Sequence, residues 1–197
     1  MKFNNIINSI IKRFKNFYNY EIKKFFYMYH FTRKKLNFEW EKTNDLRIKV
    51  INNILKKTKE KRYLEIGCDL NQVFDKIQAE KKFGVDPVRG GNIRATSDKF
   101  FENNSEIFDV IFIDGLHEYD QVKKDIDNSL KFLDQEGFIV IHDLLPRNWL
   151  EEHVPRLSST WCGDIWKISF DLIKTENIKF ELLLIDFGLG IIKKENK

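Results

Sequence analysis

At 197 residues and 23.7 kDa the chain has room for one domain plus a short appendage, and two catalytic domains do not fit. A hydrophobic content of 42%, with 18 Phe, excludes an intrinsically disordered chain, and two cysteines, Cys68 and Cys162, are too few for a disulfide scaffold or a Cys-rich zinc site. The net charge of +4 is unevenly spread: residues 1–62 carry 17 Lys/Arg against 5 Asp/Glu and residues 63–197 carry 17 against 25, a basic appendage on an acidic domain.

Every apolar run is broken by charge, as at Lys12-Arg13, so no stretch reaches the ~18 residues that span a bilayer. No secretory leader precedes the cysteines, and a reducing cytoplasm is the expected setting. Residues 1–45 read as a basic amphipathic helical extension. Ile7, Ile10, Ile11, Phe14, Phe17, Tyr18, Ile22, Phe25 and Tyr29 recur at three- and four-residue steps, with Lys12, Arg13, Lys15, Lys23 and Lys24 mostly between them. Such a stripe is expected to pack on the protein's own body or on a second copy as a homodimer. Peripheral contact with an anionic membrane is the alternative. A second helix is expected over 44–58, closed by the basic run Lys56–Arg62.

Residues 46–197 form the main domain. From Arg62 short apolar runs alternate with segments of helical period. The runs are Tyr63–Gly67, Phe83–Asp86, Phe108–Asp114, Phe138–Asp143, Phe180–Ile185 and Gly188–Ile192, and the helical segments are 70–79, 97–103, 118–133 and 165–174. This alternation predicts βαβ units and a mostly parallel sheet covered on both faces. The last two runs, parted by Asp186-Phe187, predict an antiparallel hairpin at one edge.

In an open α/β sheet ligands bind beyond the carboxyl ends of the strands. Those ends carry Glu65 and Gly67, Asp86, Asp114 and Asp143, so each of the first four runs delivers an acid there. Gathered carboxylates repel unless a ligand or cation compensates them, which points to a ligand rich in hydroxyls and positive charge. Asp86 follows Glu65 by 21 residues, the spacing at which a Rossmann-type domain places the acid for ribose hydroxyls. The first turn, however, reads Gly67-Cys68-Asp69-Leu70-Asn71-Gln72, with only the first glycine of G-x-G-x-x-G, and Glu65 and Asp69 would repel a pyrophosphate. No phosphate loop is present, so the expected ligand is a nucleoside without phosphates.

Together, Tyr63-Leu-Glu-Ile-Gly67, Phe83-Gly-Val-Asp-Pro87, Thr96-Ser-Asp98, Phe108-Asp-Val-Ile-Phe-Ile-Asp-Gly-Leu-His-Glu-Tyr119 and Gly137-Phe-Ile-Val-Ile-His-Asp143 resemble the ordered motifs of class I S-adenosylmethionine-dependent methyltransferases. The likeness is to the small-molecule O-methyltransferase-like branch with an I-D-G-x-H-x-Y motif. It covers residues 62–192, including the late segments Trp161–Lys167 and Asp186–Gly190. The departure is in the first loop, where the family often has further glycines and this chain has Asp69 and Asn71. The resemblance implies an α/β, Rossmann-like doubly wound seven-stranded sheet of order 3-2-1-4-5-7-6 behind the N-terminal helical extension. It also implies S-adenosyl-L-methionine as cofactor, with Glu65 and Gly67 facing its methionine part, Asp86 at the ribose, and Ser97 and Asp98 near the adenine.

Asp114, His117, His142 and Asp143 form the candidate catalytic cluster. Methyl transfer to a hydroxyl needs a base near the operating pH, and His117, on the loop after the third run, suits that role or the orienting of the acceptor. In a strand His142 and Asp143 point to opposite faces, which favours Asp143 for the site. Asp114 and Asp143 are also candidate Mg²⁺ ligands. Trp161 and Trp166, with Asp164 and Lys167, are placed to cover an acceptor or to pack in the core, while Cys68, Cys162, His30 and His153 have no partner pattern.

The expected activity is methylation of a hydroxyl on a small molecule or saccharide, with Asp114, His117 and Asp143 as catalytic residues. A nicotinamide-dependent oxidoreductase or epimerase on the same sheet is the enzymatic rival, opposed by the missing glycines and the lack of a Tyr-x-x-x-Lys pair. A membrane- or polyanion-binding module working through the basic segment is the rival from another class, with nucleic acid the less favoured partner.

Overall fold

The structure is a computed structural model that describes residues 10–15, 17–18, 20–25, 37–43, 45–59 and 61–195. Among the described residues six strands form one mixed sheet: β1 (Arg62–Ile66), β2 (Lys81–Val85), β3 (Phe108–Ile113), β4 (Leu133–Ile141), β5 (Ile178–Leu183) and β6 (Leu189–Lys194). Their order is β2-β1-β3-β4-β6-β5, with β2, β1, β3 and β4 parallel and β6 antiparallel to both β4 and β5. The edge hairpin is therefore present. The expected seven-stranded order 3-2-1-4-5-7-6 is corrected to six strands. Between Val85 and Phe108 the chain makes only an isolated bridge, Val85 with Ile93, and the helix Ser97–Asn103. What remains there is too short for another parallel strand, because its crossover alone needs a dozen or more residues.

All six residues of β3, Phe-Asp-Val-Ile-Phe-Ile, are buried, as expected of a strand covered on both faces. The strand period of two sends Leu64, Ile66, Ile111 and Ile113 to one face, against Phe101, Val122, Ile126 and Ile168. Tyr63, Val110 and Phe112 go to the other, against Ile48, Ile51 and Leu55 of the helix Leu46–Leu55. Glu65 shares that second face with Tyr63, whose hydroxyl donates to Glu65 Oε2 at 2.6 Å.

The helix expected over 70–79 is reduced to turns and a 3-10 turn, Phe74–Lys76. Asp69 (φ +44°) and Asn71 (φ +60°) hold left-handed backbone there, and Asn71 Oδ1 accepts the Gly91 N–H at 2.7 Å. These are the positions where the family's extra glycines were missed. Asp and Asn tolerate the left-handed region better than other side chains, so the turn forms without them.

Residues 10–15, 17–18 and 20–25 are helical, whereas Ile7, Tyr29 and His30 lie outside the described residues. Among the described residues the body does not cover this helix's apolar stripe: Phe14 is 71%, Phe17 65% and Tyr18 68% exposed. The expectation that it packs on its own body is therefore corrected. Residues 37–43, by contrast, are tied to the β5–β6 hairpin, with Trp40 buried 6.0 Å from the Phe187 ring and Thr43 Oγ1 accepting the Asp186 N–H at 2.9 Å.

Candidate active site

The carboxyl ends of the parallel strands open onto a cavity of about 550 Å³, with Ile66, Val85, Val88 and Leu116 as apolar walls and Asp69, Asp86 and Asp125 as acids. Gly67 lines its floor at φ +85°, and a Cβ there would lie 2.3 Å from the Asp114 carbonyl oxygen. The crossing of the β1 and β3 ends thus requires glycine at 67 on two counts, backbone sign and space. The cavity's donor set, apolar walls for a flat base and carboxylates for hydroxyls and positive charge, fits a cationic nucleoside such as S-adenosylmethionine.

Asp86, expected at the ribose, accepts four backbone hydrogen bonds. Its Oδ2 accepts the N–H groups of Cys68 and Asp69, each at 3.1 Å, and its Oδ1 accepts those of Val88 and Arg89 at 2.8 and 2.9 Å. Burial would raise its carboxyl, but these backbone donors outweigh that and hold it below the ordinary carboxylate range. The side chain therefore ties together both loops that rim the cavity. Ser97 lines the cavity, whereas Asp98 is not among its lining residues. Gln121 Nε2 joins Ser97 Oγ, Asp98 Oδ1 and Asp125 Oδ1 at 3.3, 3.3 and 3.1 Å. The N-cap of the helix Ser97–Asn103 is Thr96, whose hydroxyl accepts the Lys99 N–H.

Two adjoining cavities of about 330 Å³ each share Arg47, Gln72, His142, Asp143 and Trp161, and one of them meets the larger cavity at Gly67, Asp69 and Asp114. His117 lines the one that meets the larger cavity. Its Nδ1 lies 2.9 Å from the Trp161 carbonyl oxygen and 3.3 Å from Asp143 Oδ2, and its Nε2 lies 3.5 Å from Asp114 Oδ1. A carbonyl only accepts, so Nδ1 carries the proton and a neutral His117 presents the Nε2 lone pair. The imidazole stacks on Trp161, centroids 5.3 Å apart. Gly163 passes so close that a Cβ would stand 1.7 Å from the His117 carbonyl oxygen.

His142 and Asp143 converge on the site, which corrects the expectation that they diverge. β4 ends at Ile141, and Asp143 turns back in left-handed backbone (φ +62°), so strand alternation no longer applies. His142 Nδ1 lies 3.1 Å from Asp114 Oδ1 and 3.4 Å from Asp143 Oδ1; its Nε2 lies 3.5 Å from Asp186 Oδ1. Asp186 Oδ2 in turn accepts from Arg47 at 2.7 Å. Burial alone would raise Asp114, but His142 and His117 reverse the effect and hold it well below the ordinary range. Burial would lower both histidines, and Asp114 and Asp143 raise them above the usual imidazole value. Glu65, which lines the same cavity as Asp114 and His117, is pushed up to about 8, chiefly by burial.

Ligand atoms of Asp114, His117 and Asp143 lie within 4.8 Å of one another, a set of two carboxylates and one imidazole that suits a divalent cation. Of the aromatic loop only Trp161 reaches the site. Trp166 lies in a separate cavity with Trp149, and Asp164 accepts the Tyr119 N–H at 2.8 Å, where the helix Tyr119–Phe132 starts. Both cysteines are buried, with their thiols pushed up by burial, and neither offers a thiolate. Sequence reasoning missed Arg47, Asp186, Gln121 and Asp125. Of these only Asp125 left a signal, a charge beside the apolar Val122 and Ile126 of its helix.

A family model described as a methyltransferase domain matches residues 53–144. No curated protein matches the chain. Among solved structures, the S-adenosylhomocysteine-bound methyltransferase PaMTH1 of Podospora anserina is 19% identical with a TM-score of 0.56, over 77% of this chain and 79% of that one. A Staphylococcus aureus protein provisionally named a caffeoyl-CoA O-methyltransferase is 18% identical with a TM-score of 0.57, over 89% and 91%. MycE, a methyltransferase of mycinamycin biosynthesis solved with Mg, S-adenosylhomocysteine and mycinamycin VI, is 15% identical with a TM-score of 0.54, over 86% of this chain and 53% of that one. The fold is thus the Rossmann-like α/β fold of methyltransferases, built here on six strands.

Proposed function

We propose that the protein methylates a hydroxyl of a small molecule or saccharide, using S-adenosylmethionine, with His117 as the base. The position of His117 carries this reading: it lines the smaller cavity that adjoins the cofactor-sized one at Gly67, Asp69 and Asp114, Nδ1 bound to the Trp161 carbonyl and Nε2 unprotonated when the ring is neutral. The cofactor supplies a methyl group on a positively charged sulfur. Within the chain, Gly67 and the neighbouring strand ends leave room for the cofactor's methionine part, and Asp86 and Ser97 face its nucleoside. His117 Nε2 takes the hydroxyl proton as the new C–O bond forms and the sulfur–methyl bond breaks. Asp114, 3.5 Å away, and Asp143 on the Nδ1 side then stabilise the imidazolium.

Asp114 and Asp143 are the proposed Mg²⁺ ligands beside it. Such a cation, when bound, supplies charge that favours a deprotonated acceptor. Trp161 offers an aromatic wall against which a ring or sugar face can lie.

Calorimetry tests the cofactor and mass spectrometry tests the chemistry. S-adenosylhomocysteine is expected to bind and NAD to fail, because Asp69 and Asp86 repel a pyrophosphate. A hydroxylated acceptor is expected to gain a methyl group. Tighter binding of NAD would overturn the proposal.

A further inference from the structure

We infer that the N-terminal helix docks the protein on an anionic lipid surface. At 100° per residue, Ile10, Ile11, Phe14, Phe17, Tyr18 and Ile22 share one side of the helix, and all six are exposed. Lys15 flanks one edge of this stripe and Arg13 and Lys24 the other, while Lys12 and Lys23 lie opposite it. The ammonium of Lys24 sits over the Tyr20 ring, 5.7 Å from its centroid. Glu21 is the one acid between residues 10 and 25, and it stands three residues from Lys24, near enough for the lysine to offset it.

The orientation on the body agrees. Lys23 Nζ lies 3.4 Å from His153 Nε2, so the polar side meets the body and the apolar stripe looks away. An exposed aromatic stripe edged by cations is the pattern of a helix that lies in a membrane interface, rings among the acyl chains and cations at the headgroups. A face-to-face dimer would bury the same stripe, but it would bring together two helices that each carry five basic residues against one acid between residues 10 and 25. A nucleic acid would answer the charge and leave the rings unused. The surface that satisfies both features is an anionic bilayer. Docking would also hold the acceptor side near the lipid, since the His153 carbonyl accepts the Trp161 indole N–H at 2.8 Å.

The full chain is tested by co-sedimentation with phosphatidylcholine vesicles containing about 30% phosphatidylglycerol and with vesicles of phosphatidylcholine alone. The first should carry the protein down and the second should not, and raising the salt should weaken the binding. A Phe14→Asp/Phe17→Asp double variant should lose at least tenfold in vesicle affinity while its affinity for S-adenosylhomocysteine and its circular dichroism stay unchanged. Equal binding to both vesicles, or a double variant that still binds, would overturn the inference. So would a dimer of the full chain that the double variant converts to monomer without any vesicle binding, or binding to a nucleic-acid oligonucleotide alone.

Discussion

Replacing Asp125 by Asn is the sharpest test of the polar cluster behind the cofactor cavity. Asp125 is 1% exposed, and burial raises its carboxyl to about 6 even though Ser97 and Gln121 bond it. The unfolded chain has an ordinary carboxyl, near 3.8. Below that value both states are protonated and the carboxyl costs the fold nothing. As pH rises through the interval up to about 6, the unfolded state ionises first, and wild-type stability falls. A shift of roughly two units corresponds to about 3 kcal/mol once ionisation is complete. An amide of the same shape keeps the acceptor oxygen for Gln121 and never ionises. The stability advantage of Asp125→Asn should therefore grow with pH, by about 2 kcal/mol between about pH 4.5 and 7. Urea unfolding of both proteins at a series of pH values measures it. A difference that stays constant with pH, or shrinks as pH rises, would refute the assignment of Asp125 as a buried, destabilising acid.

The other expected outcomes concern the site itself. His117→Ala should cut turnover by about 10²- to 10⁴-fold with S-adenosylhomocysteine affinity unchanged in calorimetry. Asp86→Ala should weaken that affinity by about 1–3 kcal/mol if the proposed ribose contact is made, and should also lower the unfolding midpoint, because it orphans four N–H groups. Gly163→Ala should cost about 1–3 kcal/mol in stability, since the new Cβ meets the His117 carbonyl, and its loss of turnover should exceed any loss of cofactor affinity. A chelator should abolish turnover and Mg²⁺ restore it, whereas full activity in chelator would leave Asp114 and Asp143 as partners of the histidines alone.

The strands and their acidic ends were legible because a buried parallel strand is a short, almost wholly apolar run, so the residue that ends it stands out. Glu65, Asp86, Asp114 and Asp143 were found this way, and all four line the cavities, Glu65 as a buried wall of one of the smaller ones. The strand count was not legible. It depends on what fits between Val85 and Phe108, where the loop through Gly90 and Gly91 folds back on Gly84 and Asp69 through backbone contacts that no side-chain pattern announces. Arg47 and Asp186 were hidden for a different reason. They are 139 residues apart in the chain, and nothing local to either marks it as a partner of His142.

The first loop looked deficient by a motif that counts glycines, but the physical requirement is backbone with positive φ, and glycine is only the commonest way to meet it. Six of the eight non-glycine residues with positive φ among the described residues are Asp or Asn, including Asp69, Asn71, Asp143 and Asp186. Each left-handed residue costs roughly 1 kcal/mol, least for these two types because their short polar side chains bond locally. In return the residue that bends the chain also presents a donor or acceptor at the bend. Asp143 reverses β4 and faces His117, Asp186 shapes the hairpin and receives Arg47, and Asn71 turns the first loop and anchors Gly91. A glycine at any of these positions would relax the turn and remove the group the site uses. A glycine-based fingerprint therefore fails on this chain at the bends where backbone geometry and chemistry fall on one residue.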